Sequence, residues 1–436
     1  MNRSLSAQER AKRVIPGMTQ LLSKRPDMFS LGVWPGYYDK AKGCTVWDLD
    51  GNEYIDMSIS GIGANVLGYA DDDVDDAVVG AIRTGSSSSL NCLEEVELAE
   101  LLCELHPWAG MARFTRSGGE AMTVAVRIAR AHTGKDTVAF CGYHGWHDWY
   151  LAANVGTENA LGEHLIAGLD PCGVPKALRG TAIPFRFNRL DELEKIVGEH
   201  GKDLAAIVLE PIRNAPPTED FVRGVRAAAD ACGAVLIVDE ISSGLRMNTG
   251  GAHLLFGFEP DMAVFSKALG NGYPIGAVLG KESVMQSAQK TFISSTCWTE
   301  RIGPVAALAT LRKHRRENVG SRLMQLGRNV QDGWRHLLTK HGIKSDVNGM
   351  LPMSHLDFET PCPQHTKALF VQIMLEQGFL ASNLYYAMYA HRDEHVARYL
   401  KSADVAFGVI AEGLRNQSLE KMLKGLPSAT GFKRLT

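Results

Sequence analysis

Two short apolar runs, each followed by charged residues, restrict the fold of this 436-residue chain more than any other feature. The first run spans 235–238 and leads directly into Asp239 and Glu240, and the second spans 262–265 and is followed by Lys267 after one residue. Short apolar runs of this kind are typical of parallel strands buried on both faces. Ligands of open α/β sheets bind at the carboxyl ends of the strands. The two runs therefore predict a site that presents an acid and an amine to a ligand with a ring to protonate and a carbonyl to capture.

Strand-like and helix-like segments alternate through the middle of the chain. Strands are predicted at 112–115, 137–140, 205–209, 235–238, 262–265 and 275–279, and helices at 73–83, 93–106, 119–133 and 219–232. Such alternation predicts a mostly parallel sheet covered by helices on both faces. An Asp50-Gly51 pair between alternating segments predicts a β-hairpin.

The C-terminal third has a different pattern. A long, interrupted helical stretch runs from 303 towards 340, followed by a strand at 353–358 and helices at 364–377 and 393–415. We therefore predict three parts. They are an N-terminal segment 1–45 that packs on the other domains, a large domain 46–315 and a small C-terminal domain 316–436.

Composition narrows the function class. The net charge of −3 gives no reason to expect a nucleic-acid or anionic-membrane partner. No apolar run approaches membrane-spanning length, and the N-terminus lacks the apolar core of a secretory signal. The eight cysteines contain no C-x-x-C pair, which favours a reducing compartment over a disulfide framework. We predict a cytoplasmic enzyme.

A small-residue segment, Ser117-Gly118-Gly119, lies between a predicted strand and a predicted helix. Backbone N–H groups at a helix N-terminus bind phosphate, and glycines allow the anion to approach closely. The same segment could be an ordinary turn that caps the helix, and the segment alone does not decide between the two.

Two further strand ends carry side chains of interest. Tyr143 follows the strand at 137–140 and could stack on a planar ligand. His144 and His147 have a spacing seen in zinc sites, but without a third ligand nearby we predict no metal site. Glu210 follows another strand and precedes a proline, where a surface carboxylate would also be ordinary.

If Asp239 and Lys267 are both buried, the pair favours one kind of chemistry. A buried lysine shifts towards its neutral, nucleophilic form, which attacks an aldehyde to give a Schiff base. A carboxylate such as Asp239 beside a pyridine nitrogen would keep that nitrogen protonated. A dinucleotide site is not expected, because the Gly61-x-Gly63 and Gly270-x-Gly272 pairs lack the full glycine fingerprint.

The order of these motifs resembles the class III aminotransferases, which are fold-type I enzymes that use pyridoxal 5′-phosphate (PLP). The motifs that carry the resemblance are SGGEA, YHG, EP, DEISSG and FSKALGNGYPIGA, and the similarity runs from residue 43 to about 415. Within the class, the chain is most similar to the glutamate-1-semialdehyde aminomutase branch. The resemblance implies an α/β fold with a large domain, built on a mainly parallel seven-stranded sheet, and a smaller α+β C-terminal domain.

The resemblance also implies roles for individual residues. Lys267 would be the Schiff-base lysine, Asp239 would pair with the pyridine nitrogen, and Tyr143 and Ile241 would cover the two faces of the ring. The remaining cofactor-binding residues would be Ser117, Gly118 and Gly119 at the phosphate, Glu210 of the EP motif, and Thr299, which would reach the partner subunit's phosphate in a homodimer.

The chain departs from the family pattern mainly where the substrate would bind. The family often has threonine at the position of Gly119, and the aminomutase pattern has a tryptophan near Ser60 and a glutamate at Asn383. Lys24 or Arg25 lies near a carboxylate-binding arginine of the family. We take Lys24, Ser60, His144 and Asn383 as substrate-binding candidates.

The sequence thus predicts a PLP-dependent aminotransferase that uses an amino donor, glutamate by preference, and an aldehyde or ketone acceptor. The small and polar residues at 58, 60 and 383 suggest a hydroxylated acceptor such as a keto- or aldehydo-sugar. An aminomutase that moves an amino group within one substrate, and a catalytically silent binding protein, are the alternatives.

Overall fold

A computed structural model of the chain describes residues 2–156 and 169–431. Its strands are β1 (Tyr38–Lys42), β2 (Thr45–Asp48), β3 (Glu53–Met57), β4 (Met111–Thr115), β5 (Thr137–Cys141), β6 (Ala182–Pro184), β7 (Leu204–Leu209), β8 (Val235–Asp239), β9 (Met262–Phe265), β10 (Gly276–Gly280), β11 (Ser345–Asn348), β12 (Met353–Phe358), β13 (Phe379–Ala381) and β14 (Leu384–Tyr386).

The helices alternate with these strands. They are α1 (Arg3–Val14), α2 (Ser60–Gly63), α3 (Asp72–Thr84), α4 (Leu93–Leu105), α5 (Gly118–Thr133), α6 (Asp148–Leu151), α7 (Ala153–Gly156), α8 (Leu190–His200), α9 (Glu219–Cys232), α10 (Ala252–Phe256), α11 (Glu282–Met285), α12 (Ile302–Arg316), α13 (Val319–His341), α14 (Pro363–Glu376), α15 (Asp393–Arg415) and α16 (Leu419–Met422).

Residue contacts divide the chain into two units, Asp72–Gly320 and Met1–Asp71 with Ser321–Thr436. The predicted domain boundaries at 45 and 315 remain predictions, because a compact unit need not be a domain that folds alone.

The unit 72–320 is built on a seven-stranded sheet with the order β4-β10-β9-β8-β7-β5-β6. The pairs among β6, β5, β7, β8 and β9 are parallel, whereas β10 runs antiparallel to both of its neighbours. The predicted mainly parallel seven-stranded sheet is thereby confirmed.

Side chains of this sheet alternate between two apolar clusters, one on each face. Val138, Val208 and Ile237 pack with α5 on one face. Their neighbours Ala139 and Ile207 pack with α8 and α9 on the other. Burial on both faces explains why these strands are continuous apolar runs in the sequence.

The other unit contains two smaller sheets. The predicted hairpin is present as β2 and β3, which pair antiparallel around a turn at Gly51, where φ is +85°. β3 also pairs in parallel with β13, and β11, β12 and β14 form a separate antiparallel sheet. The unit is therefore an α+β arrangement.

Candidate active site

The two residues that opened the sequence argument lie at one edge of the large sheet. Asp239 is the last residue of β8 and pairs in register with Val264 of the neighbouring strand β9. Lys267 follows the end of β9 by two residues. Because β8 and β9 are parallel, their carboxyl ends deliver the acid and the amine to the same place.

The Lys267 amine is held by one hydroxyl. Its Nζ donates a hydrogen bond to Ser242 Oγ at 2.6 Å. Burial lowers the pKa of Lys267 below its ordinary value of 10.5, and Arg246 acts in the same direction. The carboxylates of Asp239 and Glu210 oppose this shift. The net effect moves the amine towards the neutral form that a nucleophile needs. Although Ser242 lies in the DEISSG motif, no role was predicted for it, since a serine in a loop is ordinary.

The backbone at Lys267 is strained. Its φ is +45°, a left-handed value that a side chain with a Cβ adopts at a cost on the order of 1–3 kcal/mol. Such strain persists only where the surroundings determine the conformation, and it is concentrated at functional sites. Ser266, just before it, is fixed by a 2.9 Å hydrogen bond from its hydroxyl to the Ile275 carbonyl.

Asp239 is buried and receives two hydrogen bonds. The Ile241 N–H donates to Oδ1 at 2.9 Å, and His144 Nδ1 lies 2.7 Å from Oδ2. The other ring nitrogen of His144 lies 3.2 Å from the Cys141 carbonyl oxygen. Both ring nitrogens therefore face oxygen atoms, Oδ2 of Asp239 and the Cys141 carbonyl oxygen. His144, a substrate-binding candidate from the sequence, is buried beneath the carboxylate.

The loop after β5 carries Tyr143 and is anchored by a carboxylate. Glu210 accepts the Tyr143 N–H at 3.1 Å and also pairs with Arg213. A Cβ on Gly142 would lie 2.6 Å from Glu210 Oε2, and φ is +127° there, so the close approach requires glycine. The Tyr143 ring is 37% exposed and stands edge-on to Tyr150. It is thus free to cover a flat ligand.

The segment Ser117-Gly118-Gly119 begins helix α5. The Ser117 hydroxyl accepts the Glu120 N–H at 3.4 Å, and the Glu120 carboxylate accepts the Ser117 N–H at 2.9 Å. This capping box satisfies two N–H groups. The N–H groups of Gly118 and Gly119 lie in the first turn, where an α-helix supplies no acceptor of its own. A Cβ on Gly118 would lie 2.9 Å from Ile241 Cδ1, so the start of α5 packs on the residue after Glu240.

Thr299 lies in an exposed turn that is tied to the same region. Its hydroxyl donates to the Thr296 carbonyl at 3.1 Å. Arg116, which precedes Ser117, donates to the carbonyls of Trp298 and Glu300, each at 2.9 Å. The turn that presents Thr299 is therefore fixed to the start of α5.

A buried network behind the site escaped the sequence argument. Glu240 accepts hydrogen bonds from the backbone and Nδ1 of His253, both at 2.7 Å. Trp108 Nε1 donates to His253 Nε2 at 3.2 Å, so the His253 proton lies on Nδ1. Although burial opposes it, hydrogen bonding from His253 and Ser243 lowers the pKa of Glu240. The network holds Glu240, which lies in the backbone between Asp239 and Ser242, and Ser242 is the hydrogen-bond partner of Lys267.

The remaining substrate candidates lie in the other unit. Lys24 is exposed. The Ser60 hydroxyl donates to the Tyr386 carbonyl at 2.6 Å, and Ser58 is hydrogen-bonded to Ser382. Asn383 Oδ1 is buried and has no hydrogen-bond partner among the described residues. The two serine hydroxyls are thus engaged within this unit, and the Asn383 oxygen is buried without a hydrogen-bond partner among the described residues.

Arg25 forms a buried ion pair within the protein. Its guanidinium pairs with Asp27, with 2.9 Å between Nε and Oδ1, and both side chains are buried. Lys24 is therefore the more accessible cation of this pair of neighbours.

Within residues 2–156 and 169–431, no cluster of three His, Cys, Asp or Glu side chains could hold a metal ion. None of the helices there combines the length and the apolar character needed to cross a membrane.

Comparison with known proteins identifies the family of the chain. The sequence profile of the family described as Aminotransferase class-III matches residues 32–399. The chain is 34% identical to 3-aminobutyryl-CoA aminotransferase from Cloacimonas acidaminovorans, over 91% of this chain and 94% of that protein. It is 32% identical to glutamate-1-semialdehyde 2,1-aminomutase from Persephonella marina, over 93% and 99%.

One further relative and one solved structure are informative. The chain is 31% identical to 2'-deamino-2'-hydroxyneamine transaminase from Streptomyces kanamyceticus, over 88% of this chain and 93% of that protein. The structure of the PLP internal aldimine form of FumI from Sphingopyxis sp. MTA144 superposes with a TM-score of 0.85 at 25% identity, covering 98% of this chain and 99% of that one.

Proposed function

Because the chain belongs to the class III aminotransferases, enzymes of fold type I whose cofactor is PLP, we propose that it moves an amino group from a donor to an aldehyde or ketone acceptor through Lys267. When bound, the cofactor supplies an aldehyde that captures amines and a pyridine ring that withdraws electrons from the substrate carbon. The observation that carries the proposal is the Lys267 amine, which lies at the same sheet edge as the buried carboxylate of Asp239.

The residues at this edge fit the cofactor. The lowered pKa of Lys267 favours a neutral amine, which can capture the aldehyde. Asp239 offers a buried carboxylate that would keep the ring nitrogen protonated. The first turn of α5, with Ser117, Gly118 and Gly119, offers N–H groups to the phosphate. The amine, carboxylate and helix N-terminus match the three polar parts of the cofactor.

The faces of the ring would be covered by Tyr143 and Ile241. Glu210 would act by holding the Tyr143 backbone, to which it is hydrogen-bonded. For His144 we now propose a positioning role instead of substrate binding, because its ring is buried against Asp239. The imidazole would keep the carboxylate oriented and ionised towards the ring nitrogen.

Lys267 would also move the proton. Its amine would take the proton from the substrate carbon that carries the amino group, and the bound cofactor would supply the electron-withdrawing ring that makes this proton acidic. A base is most effective when its pKa lies near the working pH, and burial shifts the pKa of Lys267 in that direction.

The substrates belong to the proposal as well. We keep glutamate as the amino donor and a hydroxylated acceptor, such as a keto- or aldehydo-sugar. For Asn383 we propose that its side-chain amide forms a hydrogen bond with a hydroxyl group of the acceptor. The relative from Streptomyces kanamyceticus, named as a transaminase of a hydroxyneamine, is consistent with this choice. Lys24 and Ser60 remain predicted substrate-binding residues. The cytoplasmic location also remains a prediction.

We also propose a homodimer in which Thr299 reaches the partner's cofactor phosphate. Thr299 is exposed. In the same unit Phe292 is 93% exposed and Leu90 is 82% exposed, an unusual position for large apolar side chains that a second copy would cover. Light scattering of the purified protein should give twice the mass of one chain, and a monomer would contradict the dimer.

The central test is spectroscopic and kinetic. The purified protein should bind PLP with a visible absorbance band, and Lys267→Ala should remove both the covalent link and turnover. Labelled amino nitrogen from glutamate should appear in the acceptor. A protein that stays colourless with added PLP would refute the proposal.

The same assay separates the alternatives. The relative from Persephonella marina is named as an aminomutase, and such a reaction would proceed without net consumption of a separate donor. A silent binding protein would bind PLP but transfer no label.

A further inference from the structure

The His147 ring occupies the space in front of Gly119. A Cβ built on Gly119 would lie 3.0 Å from His147 Cδ2 and 3.1 Å from His147 Nε2. Glycine at this position therefore leaves room for an imidazole at the first turn of α5. A larger residue there would have to displace the ring.

The loop that carries His147 is packed onto the same turn. A Cβ on Gly145 would lie 3.3 Å from the Gly119 Cα, so the loop and the helix meet backbone to backbone. The Trp146 ring lies beside the imidazole, with 4.5 Å between the ring centroids. His147 itself immediately precedes α6. The ring position is thus set by contacts on both sides of the loop.

The imidazole of His147 can donate a hydrogen bond to an anion whether the ring is neutral or charged. Burial lowers the pKa of His147, and the carboxylates of Glu120 and Asp148 oppose the shift. A neutral imidazole still has one N–H, and an imidazolium has two, so the ring can donate in either state.

We propose that His147 Nε2 donates a hydrogen bond to the phosphate of the cofactor and takes the place of a side-chain donor at residue 119. This inference rests on the proposed placement of the phosphate at the first turn of α5. It adds a cofactor-binding residue from the loop between β5 and α6. It also implies that the glycine at 119 and the histidine at 147 depend on each other, because the histidine ring occupies the space that a side chain at 119 would need.

The test compares PLP with pyridoxal, which lacks the phosphate, by absorbance titration of the full-length protein after cofactor removal. His147→Ala should weaken PLP binding about tenfold or more, as expected for a charge-assisted hydrogen bond, and leave pyridoxal binding unchanged. His147→Gln, which keeps an N–H donor, should retain part of the preference for PLP over pyridoxal that His147→Ala loses. Trp146→Phe is the matched control, since it keeps an aromatic ring beside His147 and removes the indole N–H, and it should retain the wild-type ratio of PLP to pyridoxal affinity.

The outcomes are distinguishable. The role of His147 would be overturned if His147→Ala weakened the binding of PLP and of pyridoxal equally. An unchanged dissociation constant for PLP would also overturn it. Loss of the PLP preference in Trp146→Phe alone would also overturn it, in favour of the indole. If the wild-type protein does not prefer PLP over pyridoxal, the placement of the phosphate itself fails.

Discussion

The imidazole of His144 lies beneath the carboxylate of Asp239, with 2.7 Å between Nδ1 and Oδ2. His144 follows β5 and Asp239 is the last residue of β8, and β7 lies between these two strands in the sheet. Both side chains are buried, so their contact is not weakened by water. The pair therefore ties the carboxylate that would face the cofactor to the loop that carries Tyr143.

Replacing His144 should impair the enzyme through Asp239. His144→Phe keeps a ring of similar size but removes both ring nitrogens and the hydrogen bond with Asp239, so we expect kcat to fall on the order of tenfold, the value of one charge-assisted hydrogen bond. A double-mutant cycle with Asp239→Asn should be non-additive, since the two residues act as a unit. Additive losses would show that His144 acts independently of the carboxylate.

Replacing Asp239 should cost more than replacing its partner. Asp239→Asn keeps the shape but removes the charge that holds the ring nitrogen protonated, so we expect kcat to fall on the order of 10²-fold. PLP should still bind, because Lys267 and α5 are unchanged, and the absorbance of the bound cofactor checks this. Wild-type kcat in this variant would contradict the assigned role.

The lowered pKa of Lys267 predicts a pH dependence of stability in the cofactor-free protein. Between the folded pKa and the ordinary value of 10.5, the unfolded chain binds a proton that the folded chain does not. The free energy of unfolding therefore rises with pH through this window. Lys267→Met lacks the group, so its stability advantage over wild type, measured by thermal unfolding from pH 7 upwards, should shrink as the pH rises. A constant difference would show that the pKa of Lys267 is not lowered.

The sequence predicted the elements that are long or uniformly apolar. β8 and β9 were evident because burial on both faces demands continuous apolar runs, and α15 because its periodicity extends over Asp393–Arg415. β6 was missed because it has only three residues, ends in proline and lies at the sheet edge. Edge strands tolerate proline, so their patterns are weak.

The site was less predictable than the sheet. The strand ends at Asp239 and Lys267 were visible, but Ser242 was not singled out, and His144 was predicted to bind the substrate and not to contact Asp239. His144 lies 95 positions from Asp239, and only the parallel order of β5, β7 and β8 brings them together. The parallel pairing of β3 with β13 was hidden for the same reason. Local sequence patterns report the burial and the hydrophobic period of one segment, whereas contacts between distant segments depend on the order of the strands in the sheet.

A clash test at Gly142 would examine how tightly the Tyr143 loop is packed. Gly142→Ala places a Cβ 2.6 Å from Glu210 Oε2 at a φ of +127°, so we expect a loss of stability of about 1–3 kcal/mol or more. Gly134→Ala is the matched control, because φ there is also positive at +69° but a Cβ would have no neighbour within 4 Å. Thermal unfolding should show a larger loss for Gly142→Ala, and equal losses would mean that the Glu210 contact relaxes without cost.

Asn383 offers a direct test of acceptor choice. Its buried Oδ1 has no hydrogen-bond partner among the described residues, and a buried acceptor left unpaired costs about 1–3 kcal/mol. A hydroxyl on the acceptor would satisfy it, so Asn383→Leu should lower kcat/KM for a hydroxylated acceptor by about 10–100-fold and leave kcat/KM for a plain aliphatic aldehyde nearly unchanged. The donor half-reaction, followed by the absorbance of the bound cofactor, should be unaffected when glutamate is the donor. Equal losses for both acceptors would assign Asn383 a structural role and remove the main support for a hydroxylated acceptor.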